Sequence, residues 1–133
     1  MHKVHVFSRD VGAHSFRSTQ RDFCRRYRPW APTLGTMHEW SGSHWDLLFA
    51  SSRACALVCR GTEPNTWYLG LLVASPGVGV KTHLLYYLLD YLEREHGAKY
   101  VAAAAADQSA THFLAGAGFR PGAHNEMRCT LTD

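Results

Sequence analysis

An apolar run from Trp67 to Ala74 is followed by Ser75, Pro76, Gly77, Val78, Gly79, Val80, Lys81 and Thr82, and a leucine-rich segment begins directly behind them. Glycines between a strand and a helix start let backbone N–H groups turn toward a phosphate, and the helix dipole favours its negative charge. Lys81, in the first helical turn, adds a mobile cation. The stretch from Trp67 to Phe119 thus reads as strand, glycine loop, helix, strand and helix, a unit suited to a phosphate-bearing cofactor. Two familiar loops do not fit the spacing. A Walker loop ends Gly-Lys-Thr, but Val80 stands before Lys81-Thr82 and Ser75 takes the place of the other glycine. A dinucleotide fingerprint needs a third glycine where Thr82 stands. On its own a Gly-x-Gly is equally an ordinary tight turn.

The elements that must position this loop follow from periodicity. Lys3 to Phe7 alternates like a strand, and Ser15 to Tyr27 carries Phe16, Gln20, Phe23 and Tyr27 at helical spacing, with Arg17, Arg21, Arg25 and Arg28 opposite. Pro29 to Trp45 holds two prolines, two glycines and three tryptophans, a loop long enough to suggest binding, although its rings serve equally well as core caps. Leu47 to Ala50 and Ala54 to Cys59 form an expected hairpin, and Trp67 to Ala74 is the third strand of the same meander.

The second half alternates strand and helix. Val80 to His96 is apolar on nearly all sides and is expected to be largely buried, with Gly97 as its stop. Lys99 to Ala106 contains five alanines that favour helix, but it is short, opens with Tyr100 and Val101, and is followed by Asp107, a good N-cap. It reads as a strand. Ala110 to Ala117 is then a helix, and Met127 to Leu131 a last strand.

The bulk composition bounds the function. With 133 residues, 46% hydrophobic and 19% charged, one globular domain over residues 1–133 is expected. No run approaches a membrane span and the N-terminus lacks a secretory signal, so a cytoplasmic location is expected. The four cysteines, Cys24, Cys55, Cys59 and Cys129, make neither a disulfide scaffold nor a Cys-x-x-Cys pair, and read as reduced, mostly buried thiols. None of the nine histidines has the helical spacing of a zinc site, so no metal is expected. A net charge of +3 permits an anionic ligand but falls short of a dedicated nucleic-acid binder.

In the strand WYLGLLVASP, the turn GVGVKTHLL and the closing DQSATHFLAGAGF, the chain resembles the GNAT acyltransferase superfamily over about its C-terminal half. The N-terminal half is similar in element order. The resemblance implies an α/β fold with a mixed sheet: antiparallel N-terminal strands, then β-α-β-α and a final strand. It implies acetyl-CoA as cofactor, its pantetheine arm between the strands around Leu71 to Val73 and Tyr100 to Ala104. Leu72 and Val73 would hold the arm, Gly77, Val78, Gly79, Val80, Lys81 and Thr82 the pyrophosphate, with Asp107 at the start of the next helix.

The resemblance further implies N-acetyl transfer by direct attack of an amine. The family carries a tyrosine, acid to the departing thiolate, where this chain has Leu114. His112 and Ser109 are the neighbouring candidates for that proton, and His83 stands at the start of the long helix. No carboxylate lies on the Leu69 to Val73 strand, leaving Glu39, Asp46 and Glu63 as loose candidates for the base. Glu39, Trp40 and Trp45, with Asp46, are expected to form an acidic, aromatic mouth for an amine on a small molecule or protein, since ring faces and carboxylates both attract ammonium groups. A degenerate, CoA-binding regulatory module stands as the alternative, and a nucleic-acid role for the Arg17 to Arg28 face ranks below both. Pairing into a homodimer stays open.

Overall fold

A computed structural model describes residues 4–8, 46–51, 53–77, 79–105, 107–122 and 126–131. The expected helix from Ser15 to Tyr27, the loop from Pro29 to Trp45, Cys24 and Val78 lie outside the described residues. So do Glu39, Trp40 and Trp45.

The described elements are β1 (His5–Ser8), β2 (Leu47–Ala50), β3 (Ala54–Arg60), β4 (Thr66–Ala74), α1 (Val80–His96), β5 (Tyr100–Ala104), α2 (Gln108–Gly116), β6 (Arg120–Pro121) and β7 (Glu126–Thr130). They build one seven-stranded sheet in the order β1-β2-β3-β4-β5-β7-β6. Every neighbouring pair is antiparallel except β4 and β5, which run parallel because α1 carries the chain back across the sheet. The mixed α/β sheet expected from the sequence is therefore present.

Local chemistry accounts for the turns. Ser51 closes the β2–β3 hairpin, its Oγ accepting from the N–H groups of Arg53 (3.3 Å) and Ala54 (3.1 Å). Between β3 and β4, Gly61 N–H donates to the Thr66 carbonyl at 2.8 Å, and Asn65 takes a left-handed φ of 58°. The Asn65 carbonyl then accepts from the N–H groups of Lys99 (2.8 Å) and Tyr100 (3.2 Å), tying this turn to the start of β5. Asp107 caps α2 as expected, accepting from Ala110 N–H at 2.7 Å, an arrangement typically contributing about 1 kcal/mol. That cap starts α2 at Gln108, two residues before the sequence expectation.

The alanine run forms a strand despite its helical propensity, because Val101, Ala102 and Ala103 are sandwiched in the sheet and buried. It ends at Ala104 rather than Ala106, close to the point where β4 leaves its side. β6 was not expected, since two residues carry no periodic signal.

The core lies between the sheet and the two helices. Leu47, Phe49, Ala54, Ala56, Val58, Trp67, Leu69, Val101, Ala103, Met127 and Cys129 point to the helices and pack on Leu84, Leu85, Leu88, Leu89 and Leu92 of α1 and Leu114 of α2. Leu48, Cys55, Leu57 and Ala102 alternate with these residues and are buried as well, so both faces of the central strands are out of water. α1 corrects one expectation. It is not apolar all round: His83, Tyr86, Asp90 and Arg94 form an exposed stripe, with Tyr86 51% exposed and Arg94 3.7 Å from Asp90. Tyr87 and Tyr91 lie at the border and meet Phe49 edge-on at 6.4 and 5.3 Å.

This division of α1 predicts a sharp contrast. Leu88→Ala should lower the unfolding free energy by about 3 kcal/mol in denaturant titration, as fully buried leucines do, whereas Tyr86→Ala should change it by less than about 0.5 kcal/mol.

Candidate functional site

The parallel pairing of β4 with β5 covers only Thr66↔Tyr100, Trp67↔Val101, Tyr68↔Ala102 and Leu69↔Ala103. β4 then runs on to Ala74, paired only with β3. The cause is visible in the β3–β4 register. Val58 faces Leu69 and Leu57 faces Leu71, so Gly70 is an extra residue on β4. Such a bulge bends its strand and increases the local twist. It also resets side-chain parity: Trp67 and Leu69 before it, and Leu72 and Ala74 after it, all turn to the same core. Beyond the bulge the edge of β4 toward β5 is open. Successive residues address opposite edges, so alternate N–H and C=O groups between Gly70 and Ala74 face the gap.

The gap is a cleft of about 120 Å³ lined by Leu69, Gly70, Leu72, Lys81, Ala103, Ala104, Ala110, Phe113 and Leu114. Ala103 and Ala104 keep it open, since a larger side chain on β5 would fill it. Lys81 enters from the first turn of α1, and its Nζ lies 4.7 Å from the centroid of the Phe113 ring on α2. An ammonium over an aromatic face is held by the ring quadrupole.

The glycine turn stands at the open end of β4. Gly79, at φ 77°, is the N-cap of α1 and offers no side chain to its first-turn N–H groups. The turn is braced from β3. Arg53 Nε donates to Ser75 Oγ at 3.0 Å, Arg53 Nη2 donates to the Pro76 carbonyl at 2.5 Å, and Ser75 N–H donates to the Arg53 carbonyl at 2.7 Å. Gly77, at φ 154°, makes room for that guanidinium: a Cβ there would lie 2.6 Å from Arg53 Nη2.

The residues singled out from the sequence separate into groups. Leu72 and Lys81 line the cleft, and Gly77 and Gly79 shape the turn at its end. Val80 and Thr82 are half-buried in the first turn of α1, Val80 against the core. Val73 pairs with Cys55 and turns its side chain to the face away from α1. Asp107 is committed to capping α2. Ser109 and His112 are exposed on α2 and are not among the cleft's lining residues.

Of the loose carboxylates, Asp46 accepts from Arg60 N–H at 2.8 Å, and Glu63 pairs with Arg128 at 3.3 Å. Both sit where β4 begins, at the far end of the strand from the glycine turn. A second, larger hollow of about 310 Å³ lies at that end, where Arg60 and His96 cover the Trp67 ring at 5.4 and 5.0 Å.

Two half-buried groups are poor reagents at neutral pH. Burial, and then the negative charge of Asp46, push the Cys59 thiol up, so it stays protonated and is no thiolate nucleophile. Burial, then Glu126 and Cys59, push the Tyr68 phenol up in the same way.

Sequence reading missed Gly70 and Arg53 for different reasons. A glycine inside an apolar run is a recognised bulge signal and was available. Arg53 meets Ser75 across 22 residues, and no local pattern announces such a contact.

No protein-family model and no curated protein sequence matches the chain. Solved structures do. GCN5 from Tetrahymena superposes with a TM-score of 0.70 at 12% identity, covering 98% of this chain and 96% of its own. A GNAT-family acetyltransferase from Staphylococcus aureus Mu50 gives 0.58 at 14% identity, with 98% and 100% covered. A GNAT-family acetyltransferase from Brucella melitensis, solved in complex with acetyl-CoA, gives 0.54 at 14% identity, with 100% and 91% covered. The chain therefore has the GNAT fold.

The brace on the glycine turn carries a measurable expectation. Arg53→Ala should destabilise the protein by about 1–2 kcal/mol and speed amide exchange around Ser75 to Gly79, as loss of charge-assisted hydrogen bonds does. Gly77→Ala should cost about as much again, because it adds backbone strain and displaces the same guanidinium.

Proposed function

We propose that the protein is an N-acyltransferase that moves an acetyl group from acetyl-CoA to an amine, on a small molecule or a protein, by direct attack. The observation that carries this reading is the open edge of β4 beyond Leu69↔Ala103, with the glycine turn and the start of α1 at its end. A pantetheine arm is an extended chain bearing amides. It can pair with a strand edge as a neighbouring strand would, while its diphosphate meets the N–H groups of a helix start.

In that arrangement Leu72, Ala103 and Phe113 supply apolar contact to the arm, and Gly77, Gly79 and Thr82 surround the phosphates. The thioester would lie by Gly70, where the bulge turns backbone groups toward the gap. Fixed N–H donors near a thioester carbonyl stabilise the oxyanion of the tetrahedral intermediate, and holding both reactants in place lowers the entropic barrier. Glu39, Trp40 and Trp45 remain our candidates for holding the amine acceptor.

One observation favours a second reading, a CoA-binding module without chemistry. Leu114 is buried against the cleft, and among the described lining residues there is neither a carboxylate nor a histidine.

Calorimetric titration with acetyl-CoA, with ATP as control, tests the cofactor. Micromolar binding of acetyl-CoA, with ATP bound at least about tenfold more weakly, is the expected outcome, since only the former has an arm to fill the cleft. Equal binding of both, or of neither, would remove acetyl-CoA from the account. Release of free thiol in the presence of an amine would then separate the enzyme from the silent module.

A further inference from the structure

Thioester aminolysis expels a thiolate, and an anion set free against an apolar wall must be met by a cation or a proton. The walls of the cleft are Leu69, Leu72, Ala103, Phe113 and Leu114 together with backbone, and the one ionisable side chain among the described lining residues is Lys81. Its ammonium rests on the Phe113 ring at 4.7 Å. Lys81 takes no part in the ion pairs found among the described residues, so its protons are not committed to a carboxylate there. The ring holds the cation against α2, in the cleft that Leu114 also lines. Charge and proton supply thus converge on the place where the reaction releases negative charge.

We propose that Lys81 is the acid to the leaving group, meeting the sulfur of the acyl donor and protonating it as the carbon–sulfur bond breaks. The proposal rests on the acyl-transfer reading above. The amine lone pair forms the C–N bond, the C–S electron pair goes to sulfur, and a proton moves from Nζ to that sulfur. The acceptor nitrogen loses its proton to solvent, and solvent returns one to Nζ, so thioester and amine become amide and thiol with nothing left over. This transfer removes two charges at once and leaves a neutral amine and a neutral thiol beside the apolar side chains of the cleft. The competing role for Lys81, a contact to the diphosphate alone, makes a different demand: it would govern binding and leave turnover untouched.

The test compares wild type with Lys81→Met, which keeps the side-chain length and loses the charge. Thiol release is followed with hydroxylamine as acceptor and two donors, acetyl-CoA and S-(4-nitrophenyl) thioacetate, whose aryl thiolate departs without a proton. With acetyl-CoA we expect kcat to fall about 100-fold while the calorimetric Kd for acetyl-CoA moves less than about threefold, and with the aryl donor we expect kcat/KM to stay within about twofold. Lys81→Arg should bind acetyl-CoA normally but turn over slowly, because a guanidinium keeps its proton. A weakened Kd with kcat intact, an equal loss on both donors, or full rescue by arginine would each overturn the proposal. Absence of thiol release from wild type would instead overturn the acyl-transfer reading itself.

Discussion

Everything in the described part of this protein is arranged around the place where two parallel strands stop pairing. Four residue pairs hold β4 to β5, and the fifth is missing because Gly70 adds one residue to β4. Backbone hydrogen-bonding groups are expensive to leave without partners, so a sheet that opens in its middle leaves N–H and C=O groups in search of a ligand. The fold tolerates the opening because β3 continues to pair with β4 on its other side as far as Ala54↔Ala74. Small residues at Ala103 and Ala104, the helix start behind Gly79 and the apolar faces of Phe113 and Leu114 all converge on the same gap.

Much of this was legible in the residues. The glycine turn, the limits of α1, the N-cap at Asp107 and the strand made of alanines all follow from local rules of periodicity, capping and length. The features that shape the site were less so. The brace from Arg53 and the contact between Lys81 and Phe113 join segments far apart in sequence, and only the packed sheet decides which side chains meet. The burial of α1 shows the same limit from another side. Its tyrosines look apolar in a count of residue types, yet Tyr86 is exposed while Tyr87 is half-buried, because one residue step around the helix axis separates water from the border of the core.

Electrostatically the cleft is simple. Its side chains are apolar apart from one ammonium among the described lining residues, and one guanidinium braces the glycine turn nearby. Arg53 is engaged by Ser75 and Pro76 and so acts on the shape of the turn, whereas Lys81 is held by an aromatic face and can change partners. The two cations therefore have different surroundings. Carboxylates among the described residues are grouped elsewhere, with Glu63 and Glu126 flanking Arg128 where β4 and β7 meet their turns.

The shortness of β6 has a bearing on how the molecule lives at high concentration. Its two residues, Arg120 and Pro121, are exposed and form one border of the sheet. Proline has no N–H to donate, arginine brings charge, and two residues give too little length for an incoming strand to register. A sheet that already contains one unpaired strand edge, at the cleft, would be at risk of recruiting extended segments from other chains. Here the β6 border is blunted by its chemistry, and the inner edge lies in a cleft of about 120 Å³ walled by Leu69, Ala103 and Phe113. Both features limit the length of free backbone on which a strand from another chain could register.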